Sequence, residues 1–141
     1  MLDELLGRVS RYTPRTLETD RSFPEAAVLL PVTRSDKPEL ILTLRASGLS
    51  THGGEVAFPG GRRDPEDPDL VFTALREAEE EIGLPPGLVE VIGPLSPLIS
   101  LHGIRVTPYV GLVPDYVEYL ANDAEIAAVF SVPLEFFRQD P

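Results

Sequence analysis

The sequence predicts an α/β domain in which strands outnumber helices, and three observations predict it. Several short segments rich in Val, Ile and Leu are separated by turns built on Pro, Gly and Asp, the signature of strands. One segment, Leu70 to Ile82, carries a helical period with a capping residue before it and a glycine after it. A chain of 141 residues, 43% hydrophobic and 25% charged, is long and apolar enough to bury one core but not two.

The elements follow in chain order. Between Met1 and Tyr12, Leu2, Leu5, Leu6 and Val9 recur at helical spacing, which predicts a short amphipathic helix lying on the domain. Asp3, Glu4, Arg8 and Arg11 interrupt what would otherwise be an apolar stretch, so no signal peptide, targeting segment or membrane span is visible and a cytoplasmic location is expected. Ala26 to Thr33 (AAVLLPVT) and Glu39 to Arg45 (ELILTLR) read as neighbouring strands joined by the turn Ser35-Asp36-Lys37-Pro38. Ala46 to Gly54 is a polar connection, Val56 to Phe58 resumes an apolar segment, and Pro59-Gly60-Gly61 breaks it in a way that suits a functional loop. Arg62 to Pro68 holds five charged residues and two prolines, after which Asp69 caps the Leu70 to Ile82 helix and Gly83 closes it. Leu88 to Ile92, Arg105 to Val113 and Ile126 to Val132 have strand composition, and Pro133 to Phe137 opens a final helix. No repeat, low-complexity tract or linker divides the chain, so a single domain over residues 1–141 is expected.

Composition excludes several function classes. With 23 acidic against 12 basic residues the formal charge is -11, which repels a polyphosphate strand and disfavours nucleic acid as a partner. A small anionic substrate held through metal ions remains compatible with that charge. The absence of cysteine removes disulfides, thiolate zinc sites and cysteine nucleophiles.

The chemistry concentrates in the helix. Glu77, Glu79, Glu80 and Glu81 crowd one short stretch, an arrangement that costs electrostatic energy unless something positive lies beside it. At roughly 100° per residue, Glu77, Glu80 and Glu81 share a face while Glu79 points away. Val71, Leu75, Ala78 and Ile82 form a separate apolar stripe for docking on a sheet. Converging carboxylate oxygens suit Mg²⁺ or Mn²⁺, although an acidic helix face is by itself ordinarily just solvated. The Gly-Gly turn shortly upstream adds weight to the metal reading, because backbone without a Cβ can approach a metal or a phosphate closely.

From Gly61 to Leu84 the sequence resembles the signature of the Nudix hydrolases: a glycine, a spaced acid, then Arg-Glu-apolar-any-Glu-Glu-any-Gly-apolar. The second half matches at every specified position. Asp67 stands where the family usually has glutamate, and the spacing to Arg76 is one residue longer than the common pattern. Upstream, Leu42-Thr43-Leu44-Arg45-Ala46, Gly54 and Phe58-Pro59-Gly60-Gly61 resemble the additional motif of the coenzyme A pyrophosphatase branch, which also tends to carry the longer spacing. Ser50 takes the place of an arginine usual in that motif. The resemblance runs from about Ala26 to Phe137, and members of the branch commonly continue further, so Pro141 is expected to be an early stop.

The resemblance implies an α/β/α sandwich with a mixed sheet and metal-dependent hydrolysis of a diphosphate linkage in a small nucleotide derivative. Coenzyme A or an acyl or oxidised form of it would be split into 3′,5′-ADP and the 4′-phosphopantetheine fragment. Carried over by position, Glu77 and Glu81 would hold Mg²⁺ or Mn²⁺ together with the Gly61 carbonyl, Glu80 would be a further ligand or the base, and Arg76 would orient a carboxylate. Gly60, Gly61, Arg45 and His52 are expected at the substrate, with Glu125 a lesser candidate for base or ligand. Arg62, Arg63 and His102 read as exposed or structural side chains. The competing readings are a Nudix enzyme of another nucleotide, such as ADP-ribose or a dinucleotide polyphosphate, and a catalytically silent nucleotide-binding module. The expected partner is a small nucleotide diphosphate, and a homodimer is compatible with the sequence.

Overall fold

The computed structural model describes residues 2–15, 22–47 and 54–138. Its centre is an eight-stranded mixed sheet made of β1 (Glu25–Thr33), β2 (Glu39–Arg45), β3 (Val56–Ala57), β4 (Gly60–Arg62), β5 (Glu90–Pro94), β6 (Leu98–Ile99), β7 (Arg105–Val113) and β8 (Ile126–Pro133). β1 and β7 run parallel from Glu25 opposite Arg105 to Thr33 opposite Val113. The other pairings among the described residues are antiparallel. β1 changes partner along its other edge: Val32 sits opposite Leu40 of β2, whereas Ala26, Ala27 and Val28 face Arg62, Gly61 and Gly60 of β4. That exchange places the Gly-Gly segment inside the sheet.

Among the described residues two α-helices cover the sheet, α1 (Leu2–Arg11) and α2 (Leu70–Ile82). The period of two in β1 explains why they lie on opposite faces. Ala27 and Leu29 point to one side and pack with Ala74, Ala78 and Ile82 of α2. Leu30 and Val32 point to the other, where Val110 and Leu112 of β7 join Val9 and the leucines of α1. The result is the α/β/α sandwich that the sequence resemblance implies. α1 also orders its charges favourably, with Asp3 and Glu4 in the first turn and Arg8 and Arg11 in the last.

α2 begins and ends where the sequence predicts. The Asp69 carboxylate accepts the Phe72 N–H at 2.8 Å, and Gly83, at φ 69°, donates its N–H to the Glu79 carbonyl. Its buried face differs from the expected stripe: Thr73, Ala74, Ala78, Glu81 and Ile82 are buried, while Val71 is only half-buried. The helix is rotated so that small residues meet the sheet, letting the backbones approach closely, and this rotation takes Glu81 inward.

Four other local expectations change. β4 and β6 have no strand signal, since a Gly-Gly-Arg run and a two-residue Leu-Ile segment become strands only through their partners. Strand structure expected from Leu88 starts at Glu90, because Pro86–Leu88 forms a 3₁₀ turn. The final helix expected at Pro133 is a 3₁₀ turn, Leu134–Arg138, since Pro133 still belongs to β8. No described helix is long and apolar enough to cross a membrane.

Candidate active site

The site is assembled where α2 crosses β4. Gly60 and Gly61 are required there for two different reasons. A Cβ on Gly60 would lie 2.4 Å from the Ala27 carbonyl oxygen and 2.7 Å from the Val28 Cα, so only glycine fits against β1. A Cβ on Gly61 would instead lie 2.6 Å from the Glu77 carboxyl carbon. Gly60 is therefore a packing residue of the sheet, and Gly61 is the floor on which the Glu77 carboxylate rests.

The three carboxylates of the expected acidic face have separate environments. Glu81 is 4% exposed, and its Oε2 accepts the Gly60 N–H at 3.2 Å. Burial pushes its carboxyl up to about 7; the Gly60 hydrogen bond opposes that rise, and the charges of Glu77 and Glu125 add to it. Glu77 is half-buried and is also pushed up, chiefly by burial, with Arg76 opposing. Glu80 is exposed and turns to Arg76, whose Nη1 donates to its two oxygens at 3.3 and 3.4 Å. The expected convergence of three carboxylates is thus corrected to a pair, Glu77 and Glu81, flanked by an ion-paired Glu80. Among the described residues no group of three or more His, Cys, Asp or Glu side chains is placed to hold a metal ion. The Glu77 and Glu81 pair does fit a hard divalent cation in its donor chemistry: two oxygen ligands, drawn out of water and crowded by like charge.

Arg76 is the hub of the polar network. Its Nε and Nη2 donate to Asp67 at 3.1 and 2.9 Å, and its Nη1 donates to Glu77 Oε1 at 3.1 Å as well as to Glu80. Nη2 also reaches the Arg62 carbonyl. The guanidinium holds the Asp67 carboxyl well below the usual carboxylate range, and Asp67 in turn raises Arg76. Asp67 is 4% exposed and accepts two further donors, the Asp64 N–H at 2.9 Å and the Thr73 hydroxyl at 2.8 Å. Sequence reasoning noted Asp67 only as a departure from a motif, and it missed Thr73 altogether. No spacing rule marks a threonine on an apolar helix face as a hydrogen-bond donor to a loop six residues back.

Arg63 is exposed, as expected, and its side chain also ties together the loop that leads into α2. It donates to the carbonyls of Asp67 and Pro68 and pairs with Glu25 at 3.3 Å. Arg45 and Glu125 come to the site from neighbouring strand ends: Arg45 lies opposite Ile126, and the Ala46 N–H donates to the Glu125 carbonyl. Arg45 Nε is buried with no hydrogen-bond partner among the described residues, and the charge of Arg45 acts on Glu81. Glu125 is exposed, and its charge acts on both Glu77 and Glu81. The loop carrying Glu125 is fastened to the end of α2, where the N–H groups of Leu120 and Asn122 donate to the carbonyls of Ile82 and Glu81. His52 and Ser50 lie outside the described residues.

Comparison with known proteins agrees with this architecture. The family model of the NUDIX domain matches residues 23–136. The Nudix hydrolase NudL of Yersinia enterocolitica is 45% identical over 133 residues, covering 94% of this chain and 68% of its own, and that of Cronobacter sakazakii is 47% identical over 94% and 69%. Among solved structures, a Caenorhabditis elegans Ap4A hydrolase superposes with a TM-score of 0.66 at 19% identity, covering 78% of this chain and 80% of that one. The NUDIX domain of Shewanella oneidensis NrtR, complexed with ADP ribose, superposes with a TM-score of 0.62 at 19% identity over 96% and 86%. Members of the family generally use divalent metal ions. On the matched domain and the identity to NudL, the chain belongs to the Nudix hydrolase family.

Proposed function

We propose that this Nudix hydrolase cleaves the diphosphate linkage of coenzyme A, or of its acyl or oxidised derivatives, to 3′,5′-ADP and the corresponding 4′-phosphopantetheine. The observation that carries the reading is where the second motif lies. Arg45 and Gly60, which belong to the stretches resembling the coenzyme A branch, both act on Glu81, one through its charge and the other through its backbone N–H.

Glu77 and Glu81, with the Gly61 carbonyl, are the residues that would hold Mg²⁺ or Mn²⁺, which when bound neutralises the diphosphate and lowers the barrier to attack at phosphorus. Arg45, whose charge acts on Glu81, supplies a cationic contact to a phosphate oxygen. Glu80 is exposed and able to accept a proton from the attacking water on a carboxylate oxygen, with Glu125 as the lesser candidate. Water oxygen bonds to one phosphorus, the bridging P–O bond breaks, and the second phosphate leaves with the bond's electrons. Arg76 keeps Glu77 and Glu80 in place through the hydrogen bonds described above. We place the reaction in the cytoplasm, in keeping with the cysteine-free composition.

A second reading, cleavage of ADP-ribose or a dinucleotide polyphosphate, is favoured by Ser50 in place of the branch arginine and by the ligand and activity named for the two structural neighbours. The test is product analysis by mass spectrometry after incubation with Mg²⁺ or Mn²⁺ and coenzyme A, ADP-ribose, NADH or diadenosine polyphosphates, with chelator-treated controls. Metal-dependent 3′,5′-ADP release from coenzyme A faster than cleavage of the rest is the expected result. Preference for another substrate discards the coenzyme A assignment. No cleavage of any of them discards the hydrolytic reading in favour of a silent nucleotide-binding module.

A further inference from the structure

Thr73 is 0% exposed, deep in the contact between α2 and the sheet, where a hydroxyl is costly unless bonded. Its Oγ1 lies 2.8 Å from Asp67 Oδ2 and 3.3 Å from the Asp69 carbonyl, so its single hydrogen belongs on the shorter contact, to Asp67. A serine or threonine inside a helix ordinarily returns its proton to a carbonyl of the preceding turn. Here the proton leaves the helix for a loop carboxylate, and that carboxylate is the one that grips Arg76 in a two-pronged pair.

The geometry explains what the hydroxyl adds. The side chain at position 67 is one methylene shorter than glutamate, so it has less reach toward the helix. Its Oδ2 accepts the Asp64 N–H at 2.9 Å and the Thr73 hydroxyl at 2.8 Å beside Arg76 Nη2 at 2.9 Å, while Oδ1 accepts Arg76 Nε at 3.1 Å, so the oxygen that Thr73 holds is one of the two that grip Arg76. Arg76 Nη1 is then aimed at Glu77 and Glu80. A chain of contacts therefore runs from a buried hydroxyl, through Asp67 and Arg76, to the carboxylate that rests on Gly61.

We propose that Thr73 is a positioning residue of the site: its hydroxyl fixes Asp67, and through Asp67 and Arg76 it sets the orientation of Glu77. The inference deepens the proposed function and rests on it only where Glu77 is taken to hold a metal ion. It sorts the signature's surroundings differently from a packing view, in which position 73 needs only a small side chain.

The experiment compares the purified wild-type chain with Thr73→Val, which keeps the shape and removes the hydroxyl, and Thr73→Ser, which keeps the hydroxyl and removes a methyl. Two readouts are taken: the Arg76 Nε–H resonance in ¹H–¹⁵N spectra without metal, and Mn²⁺ affinity by titration calorimetry. In the wild type and in Thr73→Ser the Arg76 signal is expected to be sharp and slow to exchange. In Thr73→Val it broadens or vanishes, and Mn²⁺ binding weakens about 10-fold or more, the usual effect of removing a group that orients a ligand. A Thr73→Val protein with wild-type Arg76 signal and Mn²⁺ affinity overturns the proposal, and so does equal impairment in Thr73→Ser. If the wild type itself does not bind Mn²⁺, the metal reading fails, while the Arg76 signal still decides whether Thr73 anchors the Asp67–Arg76 pair.

Discussion

Gly60 and Gly61 are adjacent and chemically identical, yet alanine at each is expected to fail in a different way. An alanine Cβ at Gly61 falls 2.6 Å from the Glu77 carboxyl carbon and 2.8 Å from both of its oxygens. Carbon contacts are comfortable from about 3.5 Å, so the Glu77 carboxylate must retreat by about 1 Å. It sits at the end of a flexible side chain and is able to do so, which leaves the fold intact. Displacing a reacting group by about 1 Å costs on the order of 10²-fold in rate, the effect expected in kcat/KM for Gly61→Ala. At Gly60 the Cβ meets backbone, 2.4 Å from the Ala27 carbonyl oxygen. Overpacking of this kind costs about 1–3 kcal/mol, and at roughly 3–4 °C per kcal/mol the melting temperature of Gly60→Ala should fall by about 3–12 °C. Thermal unfolding by circular dichroism measures the second effect, and product release from the best-cleaved substrate measures the first. Wild-type kcat/KM in Gly61→Ala would show that Glu77 has no fixed position to lose. An unchanged melting temperature in Gly60→Ala would refute the packing argument.

Three further predictions follow from the same geometry. Glu80→Ala and Glu81→Ala are each expected to lower turnover by about 10²-fold or more, and near-normal turnover in both ends the assignment of the site to these residues. Glu81 is pushed up to about 7 in the folded chain, so between its unfolded value of about 4.3 and 7 the folded state binds more protons, and stability falls as pH rises through that window. Urea midpoints measured in chelator should show this slope, Glu81→Gln should flatten it, and Mn²⁺ should raise the midpoint more at pH 8 than at pH 5. Asp67 is displaced the opposite way, so its contribution is present above about pH 4 and is lost as pH falls toward its folded value. Asp67→Asn should therefore be destabilised relative to wild type at pH 6, with the gap closing in acid. A gap that stays constant with pH would mean that the charge on Asp67 does not matter.

The limits of α2, with its Asp69 cap and Gly83 stop, were legible in the sequence because capping is local chemistry within four residues. β2 and β7 were legible for the same kind of reason: each is a run of mostly apolar residues, with β-branched ones among them, between turns. Glu39–Arg45 and Arg105–Val113 begin and end at the residues the composition marks. The candidate site was legible as a set of residue types, because the Gly61 to Leu84 pattern is long and specific.

The roles within that set were not legible. The helical wheel places Glu77, Glu80 and Glu81 on one face, but it has no knowledge of which side of the helix the sheet takes. Docking on Ala74 and Ala78 takes Glu81 into the protein and leaves Glu80 outside with Arg76. β4 likewise exists only because β1 has an open edge at Ala26 to Val28 that two glycines can approach. The sequence by itself determined where the helix starts and stops, which residues alternate in the long strands and which acids cluster, since all of these depend on neighbours a few bonds apart. Only the tertiary structure decided which carboxylate is desolvated, which is ion-paired and which glycine touches which. Those properties depend on groups such as Asp67 and Gly60 that the folded chain alone brings within a hydrogen bond of Thr73 and Glu81 on the helix.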